Sequence, residues 1–539
     1  MTVPPSAPRR PHTWDRPTGP VQDDWAWLRD KSDPETIRYL TDENSWADAW
    51  FDDQSDLVEE LFTQIKSRVK EDDDAVPVRR GAWWYGTHTT EGLEYPVHTR
   101  GRSMATVREQ LLIDENTEAG DSEYFSLNIF DVSHDDEVLA WSSDTDGSEL
   151  YTVRFRDITS GTDRSESIPG TTWGGSAWSA DDSVFFYVLP DEAMRPWRVM
   201  RHVMGTDAST DSVVYEESDE RFFVSVDISK SRGWIIIESS SKTSSEVWLL
   251  PASRPMDAPS VVRTRTEDVE YSMDHWGDVF VVLHNEGAVD FRVDTAPESA
   301  PDQWSTFLPH RAGERITHFE CFRDFAVMQR WVAGQQELSF VGRDGTVTPM
   351  SIMDSPHEAE FDSNPEWSTD EVRVSYQALD VPATVASVRR ADGSATVLKT
   401  TETPNVDLDS YVSERLWATA ADGTRVPLDI VRRRDTPLDG TAPCCLYAYG
   451  SYEASMAPWF SVMRLSLLDR GWVWALAHPR GGGEMGRNWY LDGKLLQKRN
   501  TFTDTLACAH HLADGVIDGA RLVVRGGSAG GLLVGACIT

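Results

Sequence analysis

The chain has 539 residues, long for one domain, and is 40% hydrophobic with 22 tryptophans, which supplies large cores and argues against a disordered protein. Its formal charge is −38, from 89 acidic against 51 basic residues, and no basic stripe stands out, so nucleic acid is disfavoured as a partner. Five cysteines (Cys321, Cys444, Cys445, Cys508, Cys537) lack metal-ligand spacing, the opening MTVPPSAPRRPHTWDRP lacks an apolar signal-peptide core, and no apolar run is long enough to span a bilayer. The expectation is a soluble cytoplasmic protein with reduced thiols, no metal and no membrane partner.

Residues 1–75 read as helical. After a Pro-rich start, Asp33-Pro34-Glu35 marks a helix beginning with Pro34 at its first position. Ile37, Leu40, Trp46, Trp50, Leu57, Leu61, Phe62 and Ile65 recur at roughly helical spacing. Lys70-Glu71-Asp72-Asp73-Asp74 then closes the segment as a charged break.

Residues 76–405 change character, to short apolar or alternating runs between Gly, Asp, Ser and Asn turns. The residue that opens each run recurs as Ser133, Ser179, Ser229, Ser272, Glu320 and Ser368, in steps of 43 to 50 residues. An earlier unit, counted from Gly81, lies 52 residues before Ser133. Seven such units predict a seven-bladed β-propeller of four-stranded blades. A propeller alone carries no chemistry.

Past residue 406 apolar runs alternate with helical stretches, as in a largely parallel α/β sheet. Residues 426–431, 444–449 and 472–477 read as strands, and 463–468 and 503–512 as helices. Residues 522–524 form the strand that delivers Gly526-Gly527-Ser528-Ala529-Gly530-Gly531. Strand, G-x-S-x-G, helix is a nucleophile elbow: the turn is so tight that its neighbours can hardly carry side chains, and it lifts the Ser528 hydroxyl clear of the sheet. Two further loops look chemical, 447–452 (YAYGSY) at a strand end and the glycine-rich 480–484 (RGGGE).

These residues carry a resemblance. YGSY (449–452), then LSLLDRGWVWALAHPRGGGEMGRNWYLDGKLLQKRNTFTD (465–504), then GGSAGG resembles the prolyl oligopeptidase family of serine peptidases, specifically its oligopeptidase B branch. The early WLRD and the sevenfold repeat agree with it. The resemblance implies a seven-bladed β-propeller (76–405) capping an α/β-hydrolase catalytic domain (406–539), incomplete at its C-terminal end, with the helical segment 1–75 packing on the catalytic part. It makes Ser528 the nucleophile, the Tyr449 hydroxyl and the Ala529 backbone N–H the oxyanion hole, and Tyr452 a substrate-pocket aromatic. The catalytic Asp and His follow the serine in this fold's chain order, and are expected beyond Thr539.

The activity so implied is that of a serine-type endopeptidase, cleaving short cationic peptides after Arg or Lys without a cofactor or metal. Ala529 favours oligopeptidase B, since the prolyl-specific branch has Asn after its serine. Two departures stand out. Residues 456–459 read Met-Ala-Pro-Trp, without the Asp pair that helps bind basic side chains, and Glu453 stands where the family has Gly. A post-proline oligopeptidase and a non-catalytic propeller binding fragment are the alternatives. His478, His510 and His511 are the upstream histidines nearest the serine, and a stand-in base among them is disfavoured.

Overall fold

The computed structural model describes residues 3–539, and the chain divides after Val69 into two compact units. In the first unit the Asp33 carboxylate accepts from the Glu35 N–H at 2.9 Å and caps the Pro34–Asp52 helix, with Pro34 in its first turn. The run breaks at Asp53 and Gln54 and resumes as the Ser55–Lys66 helix, so the helical stretch read from sequence is two helices.

The second unit contains seven antiparallel sheets in succession, from Asp73 to Thr400, followed by a five-stranded sheet from Tyr411 to Arg525. These seven sheets are the blades of a β-propeller. The second blade shows the pattern: Ser126–Val132, Val138–Asp144, Tyr151–Asp157 and Thr162–Thr171 pair in sequence order. The recurring serine has a mechanical reason. Ser133 Oγ donates to Asp135 (2.6 Å) and accepts from the Val138 N–H (2.9 Å), closing the turn between the first two strands. Ser179 repeats this with Asp181 (2.8 Å) and Val184 (3.0 Å).

Two positions of the repeat are corrected. Ser272 and Glu320 lie inside the first strands of their blades, Tyr271–His275 and Glu314–Phe322, because the turns that follow carry no such serine. The charged break is also more than a break: Asp73 and Asp74 form a strand that pairs with Thr89 and His88 in the first blade.

Apolar side chains fill the spaces between adjacent blades. Val184, Phe186 and Val188 of one blade, for example, pack with Val224, Val226, Ile235 and Ile237 of the next, all nearly inaccessible. The first and seventh blades share no strand among the described residues. Lys399 Nζ donates to Asp73 Oδ2, Lys70 Nζ to Glu402 Oε1 and the Gly81 N–H to Glu366 Oε1, each at 2.5 Å, and these bonds join the two blades.

The last sheet has the order Tyr411–Thr419, Arg425–Arg433, Val473–Ala477, Cys444–Tyr447, Leu522–Arg525. The sequence pattern past residue 406 predicts a largely parallel sheet, and the last two pairings are parallel. The first two are antiparallel, which corrects that reading. The cause is a hairpin: Asp422-Gly423, with Gly423 at φ 86°, turns the chain back on the Tyr411–Thr419 strand, a turn signal the sequence reading passed over. The Arg499–Ala513 helix covers the sheet, with Cys508 and Leu512 packed on Val426, Leu428 and Ala475.

No helix among the described residues is long and apolar enough to cross a membrane. All five cysteines are free. Burial pushes the Cys444 thiol up to about 12, which leaves it protonated and unreactive.

Candidate active site

The Leu522–Arg525 strand runs into Gly526 and Gly527, and the Ala529–Ile538 helix begins directly after Ser528. Ser528 sits at φ 52°, ψ −122°, a backbone conformation that L-residues with side chains rarely adopt. Its flanking glycines are required by space. A Cβ on Gly526 would lie 2.4 Å from the Gly530 carbonyl oxygen, and one on Gly530 would lie 2.9 Å from the Ala448 oxygen. The serine is exposed at the tip of this turn.

Tyr449 is brought to the same place by strand pairing. The Cys444–Tyr447 strand runs parallel to the serine's strand, with Tyr447 opposite Arg525, and the Ala448 N–H donates to the Arg525 carbonyl at 3.2 Å. The Tyr449 ring then lies 3.5 Å from where a Gly530 Cβ would stand, against the first turn of the serine's helix. In that turn the Gly530 N–H donates to the Gly527 carbonyl and the Gly531 N–H to the Ser528 carbonyl. The Ala529 N–H, at the helix N-terminus, makes no hydrogen bond among the described residues and is free to meet an oxyanion.

The loop after Tyr449 is held from behind by residues to which the sequence reading gave no role. Lys498 Nζ donates to the Gly450 carbonyl and to Ser451 Oγ, both at 2.5 Å. The buried Thr501 hydroxyl donates to the Arg480 carbonyl at 2.6 Å. Gly450 and Gly481 both have positive φ, and a Cβ on Gly481 would overlap the Gly450 oxygen at 2.0 Å, so the two loops touch through bare backbone. Arg480 anchors this junction with a two-pronged pair to the fully buried Asp504 (2.8 and 2.7 Å) and a further bond to Asp422. Asp504, foremost, raises the Arg480 pKa above its ordinary value. The sequence signals for these residues were the RGGGE loop, which contains Arg480, and the KRNTFTD stretch, which contains Lys498, Thr501 and Asp504.

Tyr452 is 62% exposed, with the Lys242 ammonium of the propeller 6.0 Å from its ring centre. Glu453 accepts from Arg315 Nε at 2.9 Å and from Arg487 Nη1. Burial opposes the charge on Arg487, yet Glu453 and Glu270 outweigh it and raise its pKa.

The upstream histidines are elsewhere. His478 is buried beside Asp429, with Nε2 2.9 Å from Oδ2 and Nδ1 3.5 Å from Glu484 Oε1. His510 and His511 lie near the end of the Arg499–Ala513 helix, with Thr419, Ala421 and Asp514 lining the same surface groove. No hydrogen bond to the Ser528 hydroxyl is made among the described residues, and they include no cluster of three His, Cys, Asp or Glu able to hold a metal ion. Of the sequence-predicted site, Ser528, Ala529 and Tyr449 converge on one turn, while Tyr452 stands on the loop that continues from Tyr449.

Residues 5–401 match the family described as "Prolyl oligopeptidase, N-terminal beta-propeller domain", and residues 458–539 match the "Prolyl oligopeptidase family". The chain is 38% identical to dipeptidyl aminopeptidase BI of Pseudoxanthomonas mexicana, an alignment covering 99% of this chain and 77% of that protein. It is 31% identical to protease 2 of Moraxella lacunata, covering 99% and 78%. Among solved structures, oligopeptidase B from Leishmania major superposes with a TM-score of 0.93 at 30% identity, covering 100% of this chain and 80% of that one. Oligopeptidase B from Trypanosoma brucei gives 0.92 at 30%, covering 99% and 80%. With a propeller of seven blades, an elbow serine and these matches along nearly its whole length, the chain belongs to the prolyl oligopeptidase family of serine peptidases.

Proposed function

We propose that the protein is a serine-type oligopeptidase that hydrolyses short peptides through an acyl-enzyme on Ser528. The observation that carries this reading is the left-handed backbone of Ser528 between a strand and a helix, with Gly526 and Gly530 where a Cβ would collide. Ser528 Oγ attacks the scissile carbonyl, and the oxygen that gains charge is received by the Tyr449 hydroxyl and the Ala529 N–H. Such a donor is worth ~3 kcal/mol of barrier, because it is aimed at the oxyanion rather than at the ground-state carbonyl. A serine hydroxyl is a weak nucleophile at its free pKa. The acid and base that activate it follow the serine in this fold's chain order. The relatives named above are longer than this chain, which covers 77% to 80% of them.

The reading extends to cleavage after Arg or Lys. Its support is the oligopeptidase B likeness and the −38 charge, which draws cationic peptides toward the protein. Four buried, unpaired cysteines support a reducing compartment such as the cytoplasm. A second reading, release of N-terminal dipeptides, is favoured by the 38% identity to a dipeptidyl aminopeptidase.

The test uses the full-length protein. A fluorophosphonate followed by peptide mapping is expected to label Ser528 and to leave the Ser528→Ala variant unlabelled; label elsewhere, or none, sinks the nucleophile assignment. A panel of N-blocked arginyl amides, free dipeptidyl amides and N-blocked prolyl amides then separates the oligopeptidase from dipeptide release and from a post-proline activity. A protein that takes no label and hydrolyses none of them overturns the peptidase reading and leaves the propeller binding module as the alternative.

A further inference from the structure

Glu453 follows Tyr452 in a turn whose geometry suits glycine at both central positions. The Ala454 N–H donates to the Ser451 carbonyl at 3.0 Å, and between them Tyr452 and Glu453 have φ of 59° and 60°. Two successive side-chain-bearing residues in the left-handed region are strained, and such a turn opens unless something outside it holds it shut. The Glu453 N–H donates to the Gly481 carbonyl at 3.1 Å, which fixes one backbone point. The rest of the hold comes through the side chain.

The Glu453 carboxylate joins a cluster shared by the propeller and the peptidase sheet's loops. Arg315, on the Glu314–Phe322 strand of the sixth blade, donates Nε to one carboxylate oxygen at 2.9 Å, and Arg487 donates to the other. The side chains of Glu453, Arg315 and Arg487 are 17%, 12% and 6% exposed, so water screens little of this. Each guanidinium is itself fixed. Arg315 lies 3.6 Å over the Phe291 ring. Arg487 pairs with Glu270, while its backbone N–H donates to Asp290 Oδ1 at 2.6 Å. Phe291, Glu270 and Asp290 all belong to the propeller. The glutamate is thus tied to the propeller directly through Arg315 and indirectly through Arg487. Gly483 makes room for it: a Cβ there would lie 2.9 Å from the Glu453 carbonyl oxygen and 3.0 Å from its Cγ.

We infer that Glu453 is a positioning residue: gripped by Arg315 and Arg487, its carboxylate holds the Tyr452–Glu453 turn in its strained form and presents the Tyr452 ring to substrate only while the propeller is docked. This rests on the reading of Tyr452 as a substrate-pocket aromatic. It makes substrate affinity, rather than the chemical step, depend on a propeller arginine that touches no substrate.

The experiment is steady-state kinetics of the full-length protein on an N-blocked arginyl peptide amide, with thermal melts in parallel. Glu453→Ala and Arg315→Met are each expected to raise KM about tenfold with kcat within twofold, and Glu453→Gln, which keeps one acceptor oxygen for the two arginines, to recover part of the loss. Tyr452→Ala is expected to raise KM by a similar factor, and adding Glu453→Ala to it to raise KM no further. Glu453→Gly loses the tie but also the strain that the tie holds at that position, so it is expected to fold at least as stably as Glu453→Ala and to raise KM less. A change of melting temperature with unchanged KM, or factors that multiply in the double variant, overturns the inference. A wild-type protein that neither takes the fluorophosphonate nor hydrolyses peptide overturns the functional reading instead. The tie itself is then judged by hydrogen exchange of amides 452–455, expected to quicken at least tenfold in Arg315→Met and to overturn the inference if unchanged.

Discussion

The ammonium of Lys498 stands 2.5 Å from the Gly450 carbonyl oxygen, directly behind the residue that follows Tyr449. The same nitrogen bonds Ser451 Oγ, so one side chain spans two consecutive residues of the loop whose first member is the proposed oxyanion donor. Hydrogen bonds to charged groups contribute about 1.5–3 kcal/mol. If Tyr449 is placed by this clamp, part of that appears in the barrier. Lys498→Met is expected to lower kcat of the full-length enzyme by at least about tenfold, ~1.4 kcal/mol of barrier. Added to Tyr449→Phe it is expected to cost much less, a non-additivity that a remote structural defect would not produce. Stopped-assay kinetics of the four proteins check this.

The elbow glycines give a sharper expectation. A methyl on Gly526 meets main-chain atoms at 2.4 and 2.7 Å, and backbone cannot swing aside as a long side chain can. Gly526→Ala is expected to destabilise by about 1–3 kcal/mol, the usual range for overpacking, and to abolish fluorophosphonate labelling of Ser528. Gly531→Ala meets nothing within 4 Å and should leave both intact. Denaturant melts with mass-spectrometric labelling compare the pair.

Asp504 is fully buried beneath Arg480. Breaking a buried pair from one side leaves an uncompensated charge, at a cost of about 3–5 kcal/mol. Asp504→Ala is therefore expected to destabilise the peptidase sheet by that amount, while Asp422→Ala, which removes Arg480's half-exposed partner, costs under about 1 kcal/mol. Chemical unfolding of the two variants measures the difference.

His478 sets a pH dependence. Burial disfavours its charge, but Asp429 and then Glu484 outweigh burial and raise its pKa above the ordinary 6.5. A folded pKa above the unfolded one means the contribution is fully present below 6.5 and is lost as pH rises through the folded value. Burial pulls Asp429 the other way, yet Arg415 and His478 hold its carboxyl below the usual 3.8, so its share is present above 3.8 and lost as pH falls through the folded value. Stability from this network is greatest between those limits. Melting temperature against pH should decline as pH rises above 6.5 and through the folded value, and His478→Gln should flatten that decline.

Much of this was legible in the chain because it repeats or because it is bare of side chains. The blade period could be read from Ser133, Ser179 and Ser229, whose hydroxyls must close the same turn each time. It slipped at Ser272 and Glu320, where the turn needs no hydroxyl and the apolar runs alone do not fix where a strand stops. Gly526 and Gly530 announced the elbow, since a missing Cβ is visible in sequence. The network behind it was not visible: Lys498, Thr501, Arg480 and Asp504 lie on either side of a loop and a helix, and only the fold reveals that they converge on Gly450. Glu453 read as an unexplained departure from the family because both its arginines come from elsewhere, one of them 138 residues away.

The joint between the first and seventh blades is made by side chains, with no strand passed from one to the other. Each blade completes its own sheet, so the ring is a split washer rather than a welded one. Its closing contacts include the ion pairs Lys399–Asp73 and Lys70–Glu402, the second with its glutamate 63% exposed, and salt weakens such pairs while leaving the apolar packing between the other blades untouched. Rising ionic strength is therefore expected to loosen the propeller first at this one place, like a clasp, with the blades themselves still folded.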